Sequence, residues 1–386
     1  SPACSQLFTA TGASDVFGAA LAIAHNPGAS AITNLYSLAT ANGAPFQPTM
    51  SLSSAPNDFT VAMKFNAGGT FATPYALAID APGNVWITNE TGPNLTELSP
   101  SGALLASPGI PGGLSGPQGI AIDRNGDVWI ANTAANNVYR FEVSSGIVTL
   151  RVGYAPSGLS APTALAIDSA DNIFIANFNG NSVSEINTSG FNENGSPFTG
   201  SANNITNPIG IAIGHGGGGV YVTSGLGYVV KLSNTGVYKN NATDSALQGP
   251  NGIAINSSGQ LAVTGFTTGS AIAGALGEFT DSGSSLTVAS ASPVSAGLGS
   301  PAGVATDGLN FFVTNSTTNG SLGKFVYGAS LPASPAAGYG TLNSPVGVAV
   351  DPSGSVWTAN SGDNTVSQFI GLAQPTTTPL AALAGP

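Results

Sequence analysis

Short apolar, β-branched runs separated by turn residues dominate the chain. Ile120-Ala121-Ile122 and Val128-Trp129-Ile130 are two such runs, with Asp123-Arg124-Asn125-Gly126 between them. Runs of this length and composition read as strands, not helices. The Asp carboxylate can accept an amide two residues on and Gly takes positive φ, so the four residues between read as a tight turn. A third strand follows at 137–141. A weaker fourth precedes the next copy.

The pattern recurs seven times. A proline opens each copy: Pro74, Pro117, Pro162, Pro208, Pro250, Pro301 and Pro345. Six residues later stand Asp80, Asp123, Asp168, Gly214, Asn256, Asp307 and Asp351. A mostly aromatic slot then holds Trp86, Trp129, Phe174, Tyr221, Ala262, Phe312 and Trp357, which takes up all three tryptophans. Four strands in about 40–45 residues describe a β-propeller blade. The fold expected is all-β, a seven-bladed propeller of four-stranded blades.

The last copy lacks a fourth strand. Before the first copy, Phe59, Val61, Met63 and Phe65 alternate with Thr60, Ala62 and Lys64, the period-2 pattern of a strand. This N-terminal strand is expected to close the last blade by pairing with 365–370. The organisation expected is a 1–57 extension, a 58–370 propeller (closing strand 58–65, repeats from 74), and a 371–386 tail that is extended or without fixed structure. Within the extension, 14–25 reads as a short helix, with Val16, Phe17, Ala20, Leu21 and Ala24 on one face and Asn26-Pro27-Gly28 as its stop. The fourth copy is degenerate, with Gly214-His215-Gly216-Gly217 in place of the Asp turn, and the fifth lacks the aromatic.

Composition narrows the function. Charged residues make up 6% of the chain, against about 25% in a typical domain. With seven Lys and Arg and a net charge of −11, nucleic acid is not an expected partner. No run of 18 apolar residues exists to span a membrane. Cys4 is the single cysteine, which excludes an internal disulfide, and Ser1-Pro2-Ala3-Cys4 has the small residues of a processed start. Low charge and abundant Ser, Thr and Asn read as an extracellular or cell-surface protein.

One position of the third strand reads Glu97, Arg140, Glu185, Lys231, Glu278, Lys324 and Gln368 around the ring. The expectation is an alternating belt, each charge between neighbours of opposite sign. The loops between second and third strands are rich in Asn, Thr, Ser and Gly. Their candidate ligand-binding residues are Glu90, Asn132, Asn177, Asn315, Asn360 and Asp363. The competing reading is that the asparagines satisfy their own loop backbones. Ring closure would make Glu90 and Asp363 neighbours, able to act as acid and base or to hold a hard cation. His25 and His215 have no nucleophile or metal partner by sequence, so no catalytic residue, metal site or cofactor is assigned.

The unit at 117–132, Pro-x-Gly-Ile-Ala-Ile-Asp-x-x-Gly-x-Val-Trp-Ile-Ala-Asn, resembles the NHL repeat. With its Trp and following Asn it is similar to secreted bacterial NHL proteins and to virginiamycin B lyase-like propellers. For the lyases the resemblance implies a divalent metal and a histidine base that open a cyclic ester. No histidine carried by the repeats matches that role. The reading is therefore a non-enzymatic propeller that meets a protein or polysaccharide surface, or copies of itself, through loop and surface contacts. The alternative is a lyase or hydrolase at the channel mouth.

Overall fold

The computed structural model describes residues 61–378 except 110–112, 145, 200–203, 215–217, 268–272, 290–291, 295–296 and 330–338, together with Leu7, Thr9, Ser14 and Ala19. The expected helix at 14–25 lies outside the described residues apart from Ser14 and Ala19, of which Ala19 is helical and buried. His25, His215 and Cys4 lie outside them too.

Seven antiparallel sheets form the ring. Blade 1 comprises Pro74–Ile79, Val85–Asn89, Leu95–Leu98 and Leu104–Ala106, from the axis outward. Blade 2 comprises Pro117–Ile122, Val128–Asn132, Asn137–Ser144 and Ile147–Tyr154. Blade 3 has three strands, and a bridge from Val183 to Phe198 stands where its outer strand would be. Blade 5 adds Leu247–Gln248 to its sheet. In blade 7, Val61–Phe65 pairs with Thr365–Ile370, Val61 opposite Ile370 and Phe65 opposite Val366. The closing strand therefore falls where its alternation places it.

One Asp organises each regular hairpin. Asp351 Oδ1 accepts the amides of Ser353 and Ser355 at 2.9 Å, and its Oδ2 accepts the Trp357 indole at 2.8 Å. Asp80 and Asp123 bind Trp86 and Trp129 in the same way, at 3.2 and 3.0 Å. The aromatic slot points into the junction with the following blade. Trp86 joins Ile122, Val128 and Phe141 of blade 2, and Trp129 joins Leu165, Ile167 and Ile173 of blade 3. The hydrophobic core is thus divided into seven clusters, one per junction.

At the axis, the second residue after each proline is Gly or Ala because the next inner strand runs against it. A Cβ on Gly347 would fall 2.5 Å from the Tyr75 carbonyl oxygen, and one on Gly303 would fall 2.4 Å from that of Val346. A threonine clasps this contact in blades 1, 4, 5 and 6. In blade 6, Thr314 Oγ1 accepts the Gly303 amide at 2.8 Å and donates to the Val346 carbonyl at 2.7 Å.

The belt position faces the next blade in every copy, which overturns the expected alternation of charge pairs. Arg140 lies over Trp129 and turns toward blade 3, where it donates to the Thr188 carbonyl at 3.1 Å. Its ion pairs are with Asp127 and Glu142 of its own blade, at 2.5 and 3.4 Å. Glu97, in blade 1, meets the other side of blade 2. Among the described residues no ion pair joins two belt residues. What the position does instead is bind the turn after the next blade's third strand. Lys231 binds the Gly283 carbonyl at 3.1 Å, Lys324 that of Leu372 at 3.0 Å, and Gln368 that of Pro100 at 3.2 Å.

The degenerate fourth blade borrows from its neighbour. With Gly214 in the Asp slot, Tyr221 donates its hydroxyl to Asp281 of blade 5, which also pairs with Lys231 at 2.7 Å. The tail, with neither helix nor strand, is docked as far as Thr378. Ala373 donates its amide to Gly354 of blade 7 at 2.9 Å, Gln374 to Asp307 of blade 6 at 2.9 Å, and Thr378 its hydroxyl to the Asp80 carbonyl of blade 1 at 2.6 Å.

Candidate binding site at the channel mouth

The loops between second and third strands share a face with the segments that lead into each inner strand. Two of the candidate asparagines, Asn132 and Asn315, hold those segments, and Asn177 and Asn360 bind the third strand of their own blade. Asn132 Oδ1 accepts the Ser115 amide at 2.6 Å, and its Nδ2 donates to Asn137 at 2.8 Å. Asn315 accepts the amides of Gly299 and Ser300 at 2.8 and 2.9 Å. Asn360 donates to Thr365 and Ser367 at 3.1 and 2.9 Å. Asn177 donates to Ser184 at 2.9 Å, and its buried Oδ1 has no partner.

A second set of asparagines was not singled out by the sequence. Asn136, Asn181 and Asn364 adopt positive φ, of 54°, 49° and 54°. Each accepts the amide of the residue before the next blade's proline: Ala161 at 2.6 Å, Asn207 at 2.8 Å and Thr73 at 2.7 Å. Those three residues are themselves at φ of 48°, 43° and 52°. A left-handed non-glycine residue costs roughly 1 kcal/mol or more and persists where its surroundings hold it. The preceding blade's asparagine is what holds it here.

Glu90 and Asp363 lie in loops that meet at Thr73, since the Glu90 amide donates to the Thr73 carbonyl at 2.9 Å and Asn364 takes the Thr73 amide. Their side chains part from there. Asp363 pairs with Lys64 on the outer strand at 2.7 Å and accepts Thr365 Oγ1 at 2.6 Å. Glu90 Oε1 accepts Gln118 Nε2 at 3.0 Å, across to the inner strand of blade 2.

Gln118 and Tyr75 are the residues directly after the repeated proline, on the inner strands of blades 2 and 1. Burial, and then the Glu90 charge, pushes the Tyr75 phenol up, so it stays a hydrogen-bond donor at neutral pH. Around the axis the same position holds Thr163, Ile209, Asn251, Ala302 and Val346. The mouth is polar beside blades 1 to 3 and largely apolar opposite. Thr163 is taken by the Pro208 and Ile209 carbonyls at 3.2 and 3.3 Å. What remains beside blades 1 and 2 is a phenol, a carboxylate and a carboxamide, with the Asn251 carboxamide on blade 5. This set can bind and orient a polar ligand, and it contains no paired nucleophile and base. Among the described residues no group of three or more His, Cys, Asp or Glu side chains converges.

A cleft of about 690 Å³ lies elsewhere, at the outer rim, lined by Lys64, Phe65, Asn66, Gly102, Leu104 and Thr365 among others. Its one basic group, Lys64, is already paired with Asp363. The convergent polar chemistry is at the axis.

Residues 342–369, which span blade 7 from its inner to its third strand, match the NHL repeat family model. No curated protein matches the sequence. A streptogramin B lyase structure superposes with a TM-score of 0.62 at 16% identity, covering 80% of this chain and 97% of that one. A catalytically inactive virginiamycin B lyase from Staphylococcus aureus, with quinupristin, gives 0.65 at 18% identity, with 81% and 99% covered. The selenomethionine-substituted enzyme from the same organism gives 0.57 at 17%, with 81% and 99% covered. At such identities the likeness is one of fold. The chain is a seven-bladed β-propeller, closed by an NHL repeat and similar in fold to the virginiamycin B lyases.

Proposed function

We propose that the protein is an extracellular, non-enzymatic propeller that binds a neutral, hydroxyl-rich ligand, a polysaccharide segment, at the channel mouth. The observation that carries this reading is the Glu90–Gln118 pair beside Tyr75, a polar group set on the axis where the surrounding loop asparagines are absorbed in hydrogen bonds of the fold. Hydroxyls of a sugar can donate to the carboxylate and accept from the phenol and carboxamide, while the apolar side of the mouth suits a sugar's C–H face. Isothermal titration of the full chain with a panel of neutral oligosaccharides tests it. A bound glycan should lose at least roughly tenfold in affinity on Glu90→Ala, since hydrogen bonds to charged groups contribute about 1.5–3 kcal/mol. If no glycan binds, or Glu90→Ala binds as tightly as wild type, the reading is wrong.

Two observations favour other readings. Phe191, Ile147 and Val237 are 71%, 67% and 57% exposed, at the turns between third and outer strands, and a chain with few charges repels its copies weakly. Self-association through those turns would raise the sedimentation coefficient with concentration. The fold likeness to the lyases supports an enzyme acting on a cyclic ester. Incubation with quinupristin, followed by mass spectrometry for loss of the intact compound, distinguishes that activity.

A further inference from the structure

Among the described residues, one belt carboxylate has both oxygens buried without a partner. Glu97 is 1% exposed, and neither carboxylate oxygen has a hydrogen-bond partner. In blade 5 the equivalent Glu278 accepts the Gly328 amide of blade 6 at 3.0 Å. Blade 2 offers no turn at that height. Its third strand continues to Ser144 before the outer strand begins at Ile147, and the Val143 amide is taken by Asp127 at 3.0 Å. The wall of blade 2 that faces this junction is Val128, Ile130, Tyr139, Phe141 and Val143, with Arg151 opposite Phe141 on the outer strand, where it is exposed and makes no hydrogen bond to Glu97. Within blade 1, Glu97 lies between Trp86 and Ala106 across the sheet, and Asp80 is the charged group that acts on it. Arg140, the nearest cation along the belt, points to blade 3.

We propose that the seam between blades 1 and 2 is a pH-sensitive joint, closed while Glu97 is a neutral carboxylic acid and loosened when it ionises. An ionised carboxylate here would be buried against an apolar wall with a second acid beside it, an arrangement that disfavours the charged form twice over. Burial, followed by the Asp80 charge, pushes Glu97 up to about 7. Glu185, next but one around the ring, is also pushed to about 7, by burial and then by Asp168 and Glu193. A carboxyl whose pKa is raised on folding holds its proton more tightly in the folded chain. Stability is therefore fully present below the unfolded value near 4.5, declines as pH rises from there to about 7, and is level above. The Glu90–Gln118 bond crosses the same seam, so ligand affinity should fall over the same range. That part rests on the proposed function, and the stability part does not.

The experiment is urea unfolding of the full chain from pH 4.5 to 8.5, for wild type, Glu97→Gln and Glu185→Gln. Each acid should contribute up to about tenfold per pH unit to the unfolding constant within its window. Glu97→Gln should match wild type at pH 4.5 and be at least about tenfold more stable above pH 7. In the Glu185→Gln background, the infrared band of protonated carboxyls should persist at pH 5.5 to 6 and lose the Glu97 share of its amplitude with a midpoint near 7, the rest belonging to Glu278 and Asp123, which burial also pushes up. A midpoint in the ordinary carboxylate range overturns the proposal without need of a Glu97 variant. So does a Glu97→Gln chain less stable than wild type at pH 8, which would mean that a bound cation or donor satisfies the ionised group. Parallel pH profiles of wild type and Glu97→Gln overturn it as well. If stability follows the prediction and glycan affinity does not, the joint stands and the link to the ligand site fails.

Discussion

At the scale of the residue, one carboxylate does two jobs in blades 1, 2 and 7. Asp351 closes the hairpin turn through two amides and anchors the buried Trp357 through its indole. Its removal leaves four donors short of an acceptor, the two amides, the indole and the Ser353 hydroxyl. We expect Asp351→Ala to destabilise the chain by about 2–4 kcal/mol in urea unfolding. A loss under about 1 kcal/mol would show that water replaces the carboxylate. The recurrence of Asp and Trp six residues apart made the turn legible in the sequence. The indole bond was not, because spacing along a hairpin does not say which way a side chain turns. The binding-site residues show the same limit. Glu90 was readable as an acid in a loop, whereas Tyr75 and Gln118 sit at a position whose residue type varies from blade to blade. Only the constancy of the preceding proline marks that position as the lip of the channel.

At the scale of the element, the blades are joined by inner-strand contacts that no motif advertises. Gly347 is glycine because the Tyr75 carbonyl of the next blade lies against it. Gly347→Ala should force the two inner strands apart at the ring closure and cost about 1–3 kcal/mol, the usual range for overpacking. Thermal unfolding of that variant, beside Gly299→Ala whose Cβ would meet only ordinary contacts at 3.5 Å and beyond, separates crowding from general glycine effects. The belt shows how a correct periodicity can carry a wrong inference. The seven residues do occupy one position, but every one of them faces the same way around the ring. Successive charges are separated by a sheet, so sign alternation along the sequence does not become ion pairing in space. Whether each finds a partner depends on where the neighbour's third strand turns. In blade 2 the strand alternation continuing through Val143 and resuming at Ile147 is the signal that Glu97 would be left without one.

At the scale of the molecule, both ends of the described chain secure the same junction. Val61–Phe65 supplies the outer strand of blade 7 before the chain enters blade 1, and the tail crosses from blade 7 through Asp307 to Asp80. The strand was legible from strict alternation. The tail was not, since its contacts are made by backbone and a single threonine hydroxyl. Met63 pairs with Gln368 in the middle of the closing strand, where a proline has neither the donor nor the freedom to fit. Met63→Pro should lower the melting temperature by at least about 5 °C, reflecting a loss of ~3 kcal/mol or more in a chain of this size. A melting temperature unchanged within error would mean that the tail alone suffices to hold the ring shut.

The proposal that the propeller binds a glycan at its axis makes a localised claim, and hydrogen–deuterium exchange with and without a bound neutral oligosaccharide tests it most directly. Protection should rise in the peptides around Tyr75, Glu90 and Gln118 and leave the turns at Phe191 and Val237 unchanged. Protection confined to those outer turns, or spread evenly over all seven blades, would contradict it.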